Sequence, residues 1–103
     1  MWAEISHMLD TNRQLASSRF GLPLGELAPG AAADLVVYDY FPPTAFEPGN
    51  FIGHLLFGLY GAPAHTVVVD GRIRLQAGQP TDLDPAEVAA RAREQASRLW
   101  SRF

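Results

Sequence analysis

His65-Thr-Val-Val-Val69, Asp70-Gly71 and Arg72-Ile-Arg-Leu-Gln76 carry the strongest local signal in this chain. Two β-rich runs flank a two-residue Asp-Gly turn, and the pair of residues that tolerates positive φ is what a tight antiparallel hairpin demands. The hairpin fixes at least part of a sheet. Working outward on the N-terminal side, Asp34-Leu-Val-Val-Tyr-Asp-Tyr40 is a further β-branched and aromatic run, and Leu24-Gly-Glu-Leu27 reads as a short strand beside it, with Pro29-Gly30 as the turn between them. On the C-terminal side, Gly78 and Pro80 break the hairpin's second strand. Asp84-Pro85-Ala86-Glu87 then supplies a cap, a first-turn proline and an acidic third position.

Helices close both ends of this pattern. From Trp2 to Phe20 the apolar residues Trp2, Ile5, Leu9, Ala16 and Phe20 recur at spacings of three, four or seven, which predicts an amphipathic helix stopped by Gly21 and Pro23. After Asp84 a helix is expected to run to the end. Val88, Ala92, Ala96, Leu99, Trp100 and Phe103 form its apolar stripe, and Glu87 with Arg91 and Glu94 with Arg98 are i,i+4 pairs. The stretch 41–49 holds three prolines and is expected as a surface loop. Asn50 is placed to cap a short apolar helix over 51–57, bounded by Gly58 and Gly61. The fold class is α+β.

Composition narrows the functions. The 103 residues are 48% hydrophobic and 18% charged, with a formal net charge of −3. That allows one small domain and gives no basic field to hold a phosphate backbone, so nucleic acid is not an expected partner. All eight basic residues are arginine, and four lie in the C-terminal helix region among acidic residues. The chain has no cysteine, which excludes disulfides and thiolate metal sites and fits a cytoplasmic location. No apolar stretch approaches the ~18 residues of a membrane span, and no targeting segment is visible.

Candidate chemistry is sparse. His7, His54 and His65 are scattered, with no His-x-His pair, no His-Glu-x-x-His helix and no calcium-type loop, so no metal site is expected within the chain. The serines lack a nucleophile elbow, and the glycines miss both phosphate-loop and dinucleotide spacings. Asn50 and His54 form the most distinctive polar cluster. A histidine inside an apolar run can act as a general base or orient a substrate at a pocket wall; equally, it can be a packed residue or lie at a subunit contact.

Gly25-Glu-Leu-Ala-Pro-Gly-Ala-Ala-Ala-Asp-Leu-Val36 resembles the segment by which amidohydrolase-superfamily enzymes return from their catalytic barrel to a β-sandwich domain. The matching positions are Gly25, Leu27, Gly30, Ala33, Asp34, Leu35 and Val36. The hairpin at Asp70 and Gly71 is similar to the family's closing one. Tyr40-Phe-Pro-Pro-Thr44, the Gly-His-Leu-Leu-Phe core at 53–57 and the ending Leu99-Trp-Ser-Arg-Phe103 resemble more narrowly the SsnA-type aminohydrolases and chlorohydrolases.

The resemblance implies that residues 1–22 are the last helix of a TIM-like barrel and residues 23–103 the C-terminal part of a composite β-sandwich with its terminal helix. It implies a metal-dependent hydrolase of non-peptide carbon–nitrogen bonds, in the deaminase and chlorohydrolase branch, whose divalent metal (Zn or Fe) is held by barrel residues outside this chain. No catalytic or metal-binding residue can be carried over. Gly25, Gly30, Asp34, Asp70 and Gly71 are expected in structural roles, Asp34 as an acceptor for turn amides between two strands. The implied partners are the missing barrel and N-terminal sandwich strands, and a second copy in a homodimer, through Asn50 to Tyr60 and the C-terminal helix. An open sheet edge is expected to pair with missing sequence or with itself. The alternatives are a small independent α+β protein-interaction module and a truncated reading frame.

Overall fold

A computed structural model describes residues 2–103. Helix α1 spans Trp2–Phe20 and ends where Gly21, at φ 72°, donates its amide to the Ser17 carbonyl. Strand β1 is Leu35–Tyr38. A helical segment follows, in which one α-turn, α2 (Phe51–Gly53), widens into a π-helical turn (His54–Gly58) and tightens into a 3₁₀ turn (Leu59–Gly61). Strands β2 (Ala64–Val69), β3 (Arg72–Gln76) and β4 (Gln79–Pro80) come next, and helix α3 (Pro85–Trp100) closes the order. The four strands make one antiparallel sheet in the order β1-β2-β3-β4. The fold is α+β, as the sequence pattern implies.

The hairpin forms because Asp70 and Gly71 both take positive φ, 50° and 72°, the type I′ geometry whose twist matches paired strands. Val69 then faces Arg72 across the turn, while Leu35 to Tyr38 pair along β2 with one irregularity before Tyr38. A second turn of the same geometry, at Ala77 (φ 48°) and Gly78 (φ 73°), sends β4 back along β3. Sequence reading ended the sheet one strand too early, because Ala-Gly is a weak turn signal and Pro80 suggests a break. Pro80 is tolerated since β4 is the sheet edge, where its missing amide costs no ladder bond.

Three further expectations need correction. Residues 24–27 form no strand; that stretch is irregular, and its polar groups turn to α1 instead, Leu24 donating its amide to Ser17 Oγ at 2.9 Å. The helix over 51–57 is not a uniform α-helix, and Asn50 does not cap it by its side chain. The amphipathic helix α1 segregates its apolar residues only weakly and buries none of them. By contrast α3 starts as expected, Asp84 Oδ1 accepting from the amides of Ala86 and Glu87 with both Glu–Arg pairs formed, but it stops at Trp100 and the last three residues close in a turn instead of continuing it. Being exposed, such pairs contribute only ~0.3–0.5 kcal/mol each.

Packing between these elements is thin. No apolar side chain among the described residues is buried, and Phe41, Phe57, Tyr60 and Phe103 are almost fully exposed. The radius of gyration is 18.3 Å, against about 13 Å for a compact domain of this length. The sheet holds together through its ladder and through long-range ties from the hairpin turn to Ala33 and Asp34. No described helix is long and apolar enough to cross a membrane.

Candidate functional site around His54

Among the described residues the one buried side chain is His54, at 7% exposure. It opens the π-helical turn, where the backbone register changes and side chains are re-aimed relative to a regular helix. Two hydroxyls from the preceding segment close on its ring. Tyr40 Oη lies 2.5 Å from Nδ1 and Thr44 Oγ1 lies 3.2 Å from Nε2. Phe46 packs on the imidazole with ring centroids 5.0 Å apart, and Tyr40 meets it edge-on at 5.8 Å. The partners are thus side chains of the 40–46 stretch, so the contact folds that proline-rich loop over the helical segment.

Gly58 makes this approach possible. A Cβ placed there would fall 2.1 Å from Tyr40 Oη and 2.6 Å from Cζ, a separation no real side chain allows. The phenol therefore occupies the space a side chain would need. Sequence reading took Gly58 as a helix stop and placed Tyr40 and Thr44 in no site; the signal available was a tyrosine and a threonine flanking two prolines, with a glycine four residues after the histidine. Nothing in that spacing says that they meet.

Asn50 lies beside the cluster but is committed to its own loop. Its Oδ1 accepts from the Glu47 amide at 2.9 Å and its Nδ2 donates to the Ala45 carbonyl at 2.7 Å. Asn50 and His54 share the wall of a hollow of about 350 Å³, together with Trp2 from α1, Thr44 and Phe57. The two residues singled out from sequence are therefore brought together, with different tasks: one shapes the loop, the other receives it.

The structural residues sit apart from this hollow. Asp34 Oδ1 accepts from the Asp70 amide at 2.6 Å, and the Gly71 amide donates to the Ala33 carbonyl at 3.1 Å. Asp34 thus accepts from a turn amide as expected, but the turn is that of the β2–β3 hairpin, 36 residues further along, and not one close by in sequence. Gly25 packs against Arg13, whose Cγ would be 3.0 Å from an added Cβ, and Arg13 reaches Glu26 at 3.4 Å. Gly30 lies in the turn closed by the Ala31 amide on the Ala28 carbonyl.

The metal that the family resemblance implies finds no seat among these side chains. No group of three or more His, Asp or Glu able to hold an ion occurs among the described residues. His7 lies exposed on α1, the His65 ring sits 2.8 Å from Thr66 Oγ1, and both nitrogens of His54 are engaged.

Comparison with known proteins adds what the geometry cannot. The chain is 32% identical over 79 residues, 77% of its length, to the 5-methylthioadenosine/S-adenosylhomocysteine deaminase of Pelotomaculum thermopropionicum, and spans 18% of that enzyme. It is 33% identical over 83 residues to the Haloquadratum walsbyi enzyme of the same name, covering 81% of the chain and 19% of the relative. The 5'-deoxyadenosine deaminase of Methanococcus aeolicus is 30% identical over 83 residues, with the same coverage of 81% and 19%. No family model matches the chain. No solved structure matches it significantly. The homologues of this chain are thus deaminases of the amidohydrolase family, aligned with about four fifths of its own length and about one fifth of theirs.

Proposed function

We propose that this chain is the C-terminal structural segment of an amidohydrolase-family deaminase that hydrolyses a non-peptide carbon–nitrogen bond, its catalytic barrel and divalent metal ligands lying in sequence other than these 103 residues. The observation that carries the reading is the coverage: similarity runs along 77–81% of this chain while spanning only 18–19% of three deaminases. The apolar surface supports it. Leu27, Phe41, Phe57 and Tyr60 are at least four-fifths exposed, as faces would be that pack on a barrel, on N-terminal sandwich strands or on a second subunit. Residues 1–22 are then the last barrel helix and residues 23–103 the sandwich portion with its terminal helix. The likeness of 40–44, 53–57 and 99–103 to SsnA-type enzymes supports a narrower reading, within the branch that also contains chlorohydrolases.

The test compares the purified 103-residue chain with a protein that adds an upstream barrel. Divalent metal content is measured in both, along with turnover of 5-methylthioadenosine and of amino- and chloro-substituted heterocycles. Metal and deamination confined to the longer protein are expected. Stoichiometric metal and turnover in the short chain alone would overturn the proposal; a short chain that is monomeric, cooperatively folded and bound to an unrelated protein would favour the interaction-module reading.

A further inference from the structure

We infer that Asp70–Gly71, at the tip of the β2–β3 hairpin, is a latent site of isoaspartate formation, held closed by the ties that Ala33 and Asp34 make to the turn. The inference rests on the hairpin alone and stands whether or not the deaminase reading does. Asp70–Gly71 is the single Asp-Gly or Asn-Gly pair in the sequence, and both residues are exposed. A glycine has no Cβ to shield its nitrogen, so such a pair is where a carboxyl most readily meets the next amide. The reaction needs no reagent but water. The Gly71 nitrogen attacks Cγ of the protonated Asp70 carboxyl, the N–Cγ bond forms, and the amide proton leaves with the carboxyl hydroxyl as water. A five-membered imide results. Water added back at Cγ restores aspartate; added at the main-chain carbonyl, it breaks that C–N bond and leaves Gly71 joined through Cβ and Cγ.

The folded turn opposes the first step in two ways. Its type I′ geometry, shown by φ of 50° and 72°, sets ψ of Asp70 near about +30°. At that ψ the Gly71 nitrogen lies nearly opposite Cβ across the Cα–C bond, whereas ring closure requires the two to eclipse. The attacking amide is also committed, since it donates to the Ala33 carbonyl at 3.1 Å while the Asp70 amide donates to Asp34 Oδ1 at 2.6 Å. Rotation about the Cα–C bond swings the Gly71 peptide away from Ala33. The imide therefore forms only from turns that have let go, and its rate follows the open fraction. The product carries an extra main-chain carbon between Val69 and Arg72, which face each other across the turn, so isomerisation unlatches the hairpin that the ties had held.

The test ages the 103-residue chain at neutral pH and physiological temperature, natively and in denaturant. Isoaspartate at position 70 is read by an aspartate-directed protease, which does not cut at the isomerised residue, and by fragmentation mass spectrometry. The native chain is expected to isomerise more slowly than the denatured one by about tenfold or more. Asp34→Ala should accelerate the native reaction by about fivefold to thirtyfold, the effect of one lost charge-assisted bond on the open fraction. Asp34→Asn keeps an acceptor oxygen and should recover most of the protection. Gly58→Ala, which loosens the helical segment at His54 and not the hairpin, should leave the rate unchanged. Equal rates in native and denatured chain, Asp34→Ala no faster than the native chain, or Asp34→Asn as fast as Asp34→Ala would each overturn the inference. So would Gly58→Ala accelerated as much as Asp34→Ala, since opening of the whole chain and not of this turn would then set the rate.

Discussion

Two polar anchors of this molecule, at Asp34 and at His54, differ in kind. Asp34 fastens the β2–β3 hairpin turn by accepting the Asp70 amide, while His54 gathers two side-chain hydroxyls from a loop that has no regular structure. The first ties backbone to carboxylate at a turn whose geometry Asp70 and Gly71 already dictate. The second depends on a tyrosine, a threonine and a glycine meeting across up to 18 positions of chain, with the close approach at Gly58 deciding whether they can. A turn of fixed dihedral preference needs little help from its surroundings; a side-chain cluster is only as good as the packing that brings it together. The comparison teaches where this chain is vulnerable.

The largest effect is expected at Gly58. Gly58→Ala forces a methyl into the space of the Tyr40 phenol, and overpacking of that sort costs about 1–3 kcal/mol. Amide exchange over residues 54–58 should rise by about tenfold or more, with exchange at the hairpin unchanged; equal change in both regions would mean that the two anchors are coupled. Asp34→Ala is the complementary break. It leaves the Asp70 amide without its acceptor, at a cost of about 1–2 kcal/mol for a partly exposed charge-assisted bond, and should raise exchange at Asp70 while leaving the His54 ring resonances in place. The smallest effect sharpens the contrast from the other side. Ala77→Gly relieves a side chain held at φ 48° and should stabilise the β3–β4 turn by up to about 1 kcal/mol, visible as slower exchange at Gln79 and Thr81. No gain there would show that the turn is set by the Thr81 and Asp82 contacts to β3 and not by its own dihedrals.

The hairpin, the end of α1 at Phe20 and the start of α3 at Asp84 were legible because each rests on a local rule: positive φ at Asp-Gly, a glycine after the last helical turn, a carboxylate aimed at free amides. Legibility failed where a residue takes a partner other than the one its local pattern offers. Residues 24–27 look like a strand by composition, yet Leu24 bonds to Ser17 of the preceding helix. Asn50 looks like a cap, yet its amide closes the loop before it. For the candidate site, sequence picked out His54 and Asn50 and missed Tyr40, Thr44 and Gly58, whose roles exist only once the loop has folded back. No periodicity marks such a fold-back.

Sequence alone determined the α+β class, the hairpin and its turn, both long helices with the end of the first and the start of the second, and the likeness to amidohydrolase enzymes, since all of these follow from short-range dihedral preference, capping and motif order. Only the tertiary structure decided that the sheet has a fourth strand, that Asp34 serves a turn 36 residues away, and that His54 is buried between two hydroxyls while no apolar side chain among residues 2–103 is buried at all. The physical reason is range. A backbone turn is settled by the few residues that make it, whereas burial is a property of every surface that closes on a residue.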